Sequence, residues 1–206
     1  MNASPPASAV PRTTASPRAQ IGPWLTITAL CGAAILLLRT EGQRWWCACG
    51  HWWPWAGDNW SRHNSQHLLD PYSLTHGSHG LIFFAAFSWL APFRRWTMAW
   101  RLALAVAIET GWEILENSHW VIDRYRHATM ALGYQGDTVA NSLGDIGCCM
   151  IGFLIALCLG VRKALLLVVA MEILLLFWIR DNLSLNVLML LHPVTAVRTW
   201  QMAGHG

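Results

Sequence analysis

The sequence predicts an all-α fold, a polytopic membrane helix bundle of about five transmembrane helices plus a short C-terminal interfacial helix. Three observations predict it. Of 206 residues, 54% are hydrophobic and only 12% are charged, too apolar a balance for an ordinary soluble domain. The apolar residues fall in runs of roughly spanning length, broken by short turns that carry basic residues. The chain also holds 14 tryptophans, whose indole rings favour the membrane-water boundary.

Residues 1–20 are rich in Ala, Ser, Pro and Thr, carry Arg12 and Arg18 and contain no acid, the composition of a disordered tail. A single transmembrane domain then occupies 21–206. The first span covers 21–38. Arg39-Thr40-Glu41 follows directly, with no small-residue cleavage pattern, so a retained signal anchor is expected rather than a cleaved signal peptide.

Residues 39–75 form the longest connection, into which Trp45, Trp46, Trp52, Trp53, Trp55 and Trp60 crowd. Such an aromatic stripe predicts a loop lying on the interface. Cys47, Cys49 and His51 occur together here, but a single residue separates the cysteines, where the usual zinc pair has two to four between them. Cys31, Cys148, Cys149 and Cys158 fall in apolar runs and read as small packing residues.

The second span, 76–92, opens with His76 and His79 and stops at Pro92. One histidine on an apolar face is usually a packing residue; two at i and i+3 at the mouth of a span point to a site. Arg94 and Arg95 mark a tight turn before the third span, 96–115, whose Arg101 is close enough to snorkel back to that turn. Residues 117–136 are a polar connection. The fourth span, 138–159, offers Gly144, Gly147 and Gly152 as a small-residue face for close helix contact. Arg162 and Lys163 mark another turn, and the fifth span, 164–179, ends at Arg180-Asp181-Asn182. The run 183–191 is too short to cross and stops before Pro193, so it is expected to lie along the surface. Glu172 is an acid inside the fifth span with no evident partner.

Basic residues in short loops stay cytoplasmic, which puts the amino terminus inside and the carboxyl tail outside. His76, His79, Glu113, Glu116, Asp137, Asn141 and Arg180 then converge on the external, periplasmic face. Glu109, Glu113 and Glu116 share one helical stripe, and Asp137, Asn141 and Asp145 share another. If these helices run antiparallel, Glu109 and Asp145 meet below the others. An ionisable group in the bilayer costs several kcal/mol unless it is paired, protonated or wet, so these acids need a reason. They are either protonated carboxyls bonding between helices or a site for a proton, a metal or a headgroup. The net charge of +3 is spread over several loops and gives no argument for nucleic acid.

His76-Gly77-Ser78-His79-Gly80, Trp112-Glu113-Ile114-Leu115-Glu116-Asn117-Ser118, the stretch from Gly133 to Asp145 and Arg180-Asp181-Asn182-Leu183 resemble uncharacterised protein family 0314, bacterial multi-pass membrane proteins. The resemblance covers most of the chain beyond residue 20. It implies an inner-membrane location and assigns no reaction. His79, Glu113 and Asp137-Asn141-Gly144 are more loosely similar to the VanZ-like arrangement, which is linked with the bacterial envelope. The Trp-rich loop and Glu116 are departures from it.

Three functions fit these residues. An envelope binding or assembly protein would hold a lipid or lipid-linked headgroup in the polar pocket, with membrane lipid and envelope proteins as partners. A metal-dependent membrane hydrolase or transferase would use His76, His79 and Glu116 or Asp137 as ligands and Glu113 as base, although His-x-x-His lacks the one-face spacing of a zincin helix. A proton-coupled carrier would relay through Glu109, Glu113 and Asp145, although internal repeats and midplane breaks are missing. No cofactor follows from the residues.

Overall fold

A computed structural model of the chain describes residues 17–129 and 133–203. The expected disordered tail lies outside the described residues up to position 16, and the first helix already begins at Pro17. The described residues form eight α-helices and no strand: α1 Pro17–Thr40, α2 Ser73–Trp89, α3 Met98–Glu116, α4 His119–Ala128, α5 Val139–Leu159, α6 Val161–Trp178, α7 Leu183–Leu191 and α8 Thr195–Met202. A 3-10 turn, Ala91–Arg95, joins α2 to α3.

Local chemistry starts and stops these helices. Thr97, Ser118, Thr138 and Asn182 each accept a hydrogen bond from the backbone N–H three residues on, satisfying one of the orphan donors at the starts of α3, α4, α5 and α7. Gly160, at φ 78°, makes the reversal between α5 and α6, a backbone setting that favours glycine. The Arg101 guanidinium donates to the Arg94 carbonyl at 2.8 Å, the snorkelling that its position predicts.

Two helices, Ile21–Thr40 and Val139–Leu159, are long and apolar enough to cross a bilayer. The other expected spans fall short on length or charge: α2 has 17 residues, α3 carries Arg101 and three glutamates, and α6 carries Arg162, Lys163 and Glu172. The polar connection 117–136 contains a helix that its composition hides. In α4 only one stripe, Val121, Ile122, Tyr125 and Ala128, is buried, and the remaining positions are polar apart from the exposed Trp120. Helix α8 is also additional to the expected six.

Packing centres on α2 and α5, with α6 and α3 beside them and α1 against α3. Leu81, Phe84, Val106, Ile146 and Phe153 fill the core, and Phe84 meets Phe153 edge to face at 5.4 Å. The two central helices touch backbone to backbone. A Cβ at Gly80 would overlap the Cys149 carbonyl, and one at Gly152 would overlap the Gly77 carbonyl. Of the expected small-residue face, Gly152 makes the helix contact and Gly144 lies against the Leu68 carbonyl of the loop. Gly147 has open space beside it.

The loop between α1 and α2 closes on itself through a single bridge between Trp55 and Leu69. Trp45, Trp52, Trp53 and Trp55 are exposed, and Trp55 stacks on Trp178 at the end of α6. Glu172, unpartnered in sequence terms, caps α7: its carboxylate accepts from Leu183 N at 2.9 Å and from Ser184 N at 3.0 Å.

Candidate functional site

His76, one turn into α2, is the hub of the polar cluster. Its Nδ1 lies 2.5 Å from Glu109 Oε1 and 3.2 Å from Glu113 Oε1, both on α3, and its Nε2 lies 3.9 Å from Asp145 Oδ2 on α5. The expected approach of Glu109 to Asp145 therefore takes place across this imidazole. His79, three residues on and so on the same face, places Nδ1 2.9 Å from Glu109 Oε2. Glu109 is an acceptor, so both imidazoles present Nδ1–H to it and keep Nε2 for another partner. His76, Glu109, Glu113 and Asp145 are all buried.

A second tier holds this hub in place. The Ser73 hydroxyl donates to Asp145 Oδ1 at 2.6 Å. Beneath it, Asp70 accepts from the backbone N–H of Ser65 and of Tyr72, tying the loop to the start of α2. At the top of α5, Asp137 is clamped: Tyr134 donates to its Oδ1 at 2.9 Å, Asn117 Nδ2 donates to its Oδ2 at 3.3 Å, and its own N–H donates to Asn117 Oδ1. Burial pushes the Asp137 carboxyl up to about 6, against the lowering pull of the Tyr134 and Asn117 bonds. Burial likewise lifts Asp181 to about 6, although it accepts from Asn182 N and from the Tyr72 hydroxyl.

Three groups carry unspent bonding capacity. Neither carboxylate oxygen of Glu113, and neither polar atom of the Asn141 side chain, has a hydrogen-bond partner among the described residues, and Glu116 Oε2 is in the same state. Glu116 is beside Tyr125 of α4, whose hydroxyl donates to Asn186 Oδ1 at 2.8 Å.

Of these three, Glu116 lines a cavity of about 320 Å³, while Glu113 and Asn141 lie behind its wall. His76, His79, Glu109, Glu116, Asp137, Asp145 and Asp181 line it, and its apolar side is Phe83, Ile108, Trp112, Leu183 and Val187. No lysine or arginine is among the lining residues. Arg180, expected to join the cluster, does not. It follows the α6 end at φ 53°, and its guanidinium donates to the Trp200 carbonyl at 3.0 Å and lies over the Trp200 ring. Its neighbour Asp181 turns to the cavity instead.

The expected metal set is also regrouped. His76 and His79 come together with Glu109, and His76 with Glu113 and Asp145, each set having donor atoms within 4.8 Å of one another. Glu116 and Asp137 are absent from both sets, the Asp137 carboxylate being held by Tyr134 and Asn117 instead. Asp70, Ser73, Asn117 and Asp181 belong to the cluster in addition to the residues the sequence predicts. Each sits at a helix end, where helical spacing no longer says which side chains meet; the polar residues flanking α2 and α3 were the available signal.

A family model described as Protein of unknown function (DUF2585) matches residues 38–203. The chain is 44% identical to a UPF0314 protein of Paracoccus denitrificans over 87% of its own length and 92% of the relative's. It is 43% identical to a UPF0314 protein of Sphingopyxis alaskensis, covering 88% and 95%. A UPF0314 protein of Novosphingobium aromaticivorans is 45% identical, covering 84% and 88%. No solved structure matches.

Proposed function

The chain belongs to the UPF0314 family, and from that premise we propose a multi-pass inner-membrane protein whose cavity, on the periplasmic side, receives the amine-bearing headgroup of a membrane amphiphile. One observation carries this reading: an acid-rich floor without lysine or arginine adjoins an apolar, aromatic wall in one cavity. A cationic headgroup satisfies the carboxylates, its ammonium packs against Trp112 and Tyr134, and its chains leave along Phe83, Ile108 and Val187. An anionic headgroup meets no lysine or arginine there, and both histidines are already engaged by Glu109.

The membrane placement rests on where the apolar surface lies. A core helix of a soluble protein is mostly buried, whereas Ile21–Thr40 and Val139–Leu159 are buried over only 22% and 39% of their apolar windows. Outward-facing Leu166 and Phe177 on α6 are 70% and 82% exposed, while Glu109 and Glu113 are fully enclosed. Apolar outside and polar inside is the pattern of a bundle in lipid. Helices α1, α2, α3, α5 and α6 are the five crossings of this proposal, with α7 along the surface.

The test uses full-length protein in nanodiscs containing phosphatidylethanolamine or phosphatidylglycerol, read by native mass spectrometry of the released protein. Preferential retention of phosphatidylethanolamine that falls in Glu109→Gln supports the reading. Equal retention, or preference for phosphatidylglycerol, refutes it.

A second reading is a metal-dependent hydrolase, favoured by the convergence of His76, Glu113 and Asp145 donors within 4.8 Å. A bound metal that disappears in His76→Ala and Glu113→Gln, together with lipid hydrolysis, would select it over a simple binding site.

A further inference from the structure

The loop between α1 and α2 gathers a second set of donors, none of which lines the acidic cavity. Cys47 Sγ lies 3.3 Å from His63 Nδ1, and Cys49 Sγ lies 3.6 Å from His67 Nε2. All four donor atoms fall within 4.8 Å of one another. His51, the histidine nearest the cysteines in sequence, is exposed and stands outside the group. A tetrahedral zinc ion with Zn–S of about 2.3 Å and Zn–N of about 2.0 Å requires S···N edges of roughly 3.5 Å, which both measured pairs approach.

The surroundings select this chemistry. Two thiols and two imidazoles are the soft and borderline donors that zinc takes in structural sites, and four protein donors close the coordination shell. Nδ1 of His67 is 2.5 Å from the Trp53 carbonyl, which fixes the proton there and leaves Nε2 as a lone pair facing Cys49. Cys47 and His67 are buried, and the Trp46 ring meets His67 edge-on at 5.5 Å, limiting water on that side.

The backbone is shaped for the same purpose. His63 and His67 are brought side by side by a turn in which Ser65 takes φ 60°, a left-handed setting unusual for serine. The Asp70 carboxylate holds that turn through Ser65 N at 2.7 Å. On the other limb, Gly50 N donates to the Cys47 carbonyl, curling Cys47-Ala-Cys49 back on itself.

We infer that Cys47, Cys49, His63 and His67 bind one structural Zn2+ that staples the loop between α1 and α2. A connection of this length without helix or sheet needs such a clip, and a metal fixes both limbs at once. The consequence reaches the cavity, because Asn59, Trp60, Asn64 and Ser65 of the same loop line it. Binding displaces two thiol protons to solvent and involves no redox step.

The experiment is elemental analysis and cobalt substitution on full-length protein purified in detergent. The expected result is about one zinc per chain. Replacement by Co2+ should give tetrahedral d–d absorption with a thiolate-to-cobalt charge-transfer band. Zinc should be lost in Cys47→Ser/Cys49→Ser and in His63→Ala/His67→Ala, and retained in His79→Ala and Glu109→Gln, which separates this site from the acidic cluster. If the cysteine variants do not fold, the cobalt spectrum of the wild type decides. Wild-type protein that takes up no metal on reconstitution, a Cys47–Cys49 disulfide, a cobalt spectrum without thiolate charge transfer, or zinc unaffected by the cysteine or histidine pair overturns the inference.

Discussion

Glu109 and Glu113 stand one helical turn apart and both face His76, yet they should respond oppositely to loss of charge. Glu109 accepts from His76 Nδ1 at 2.5 Å and from His79 Nδ1 at 2.9 Å. In Glu109→Gln a carbonyl at the Oε1 position, 3.1 Å from His79 Nδ1 as well, is left as the one acceptor the two imidazoles share, so charge-assisted hydrogen bonds become neutral ones and an amide NH2 replaces the second acceptor beside His79. A charge-assisted bond contributes about 1.5–3 kcal/mol, and the expected loss is therefore about 2 kcal/mol. For a domain of this size each kcal/mol moves the midpoint by roughly 2–4 °C, placing the variant roughly 4–8 °C below wild type. Glu113 accepts no hydrogen bond at either oxygen among the described residues. Glu113→Gln removes a buried acid that accepts no hydrogen bond and keeps an oxygen for the 3.2 Å contact with His76 Nδ1, so its midpoint should fall within roughly 2 °C of wild type or above it. Thermal unfolding of both variants in one detergent, followed by tryptophan fluorescence, checks the pair. A Glu109→Gln midpoint equal to or above that of Glu113→Gln would refute the assignment of Glu109 as the carboxylate that orients both histidines.

Three other outcomes follow from local geometry. Asp137 and Asp181 are lifted by burial from an ordinary 3.8 to about 6, so the fold holds their protons longer than the unfolded chain does. Their stabilising contribution is full below about pH 4 and lost as the pH rises through about 6; melts across that window should fall, and Asp137→Asn should flatten the trend. Glu172→Gln removes the carboxylate accepting from Leu183 N and Ser184 N and should cost about 1 kcal/mol, seen as faster hydrogen exchange of the first-turn amides of α7; unchanged exchange would contradict the cap. Gly80→Ala places a methyl in the Cys149 carbonyl and should destabilise by about 2 kcal/mol or more, whereas Gly147→Ala meets open space and should be neutral or stabilising; similar melting of the two would contradict the close crossing.

Helical spacing made part of this arrangement legible. The period that groups Glu109 with Glu113 and Asp137 with Asn141 and Asp145 fixes which side chains share a face, and α3 and α5 then turn Glu109, Glu113 and Asp145 to His76. It does not fix what happens beyond a helix end. Arg180 follows α6 by two residues, and a left-handed backbone turn carries it to Trp200 while Asp181 goes inward. Glu172 lacked a visible partner because its acceptors' donors lie 11 and 12 residues on, across a chain reversal. In sequence Cys47 and Cys49 stand beside His51, whereas the loop closes through the Trp55–Leu69 bridge and delivers His63 and His67. Helix α4 was hidden by polar composition, its buried stripe being too narrow to make the segment apolar.

The contact of α2 with α5 at Gly77, Gly80, Cys149 and Gly152 joins main chain to main chain, and main chain has no rotamers with which to yield. His76 and Asp145 are mounted on that seam, so their spacing is set like two points on one rigid plate. The facing wall is attached differently: α7 is moored by the Tyr125 hydroxyl on Asn186, by Arg124 on the Leu190 and Leu191 carbonyls and by Glu172 on its first amides. Each mooring exchanges singly for water or another partner. On the proposed reading, a headgroup would therefore enter past α7, over a floor that does not move to meet it.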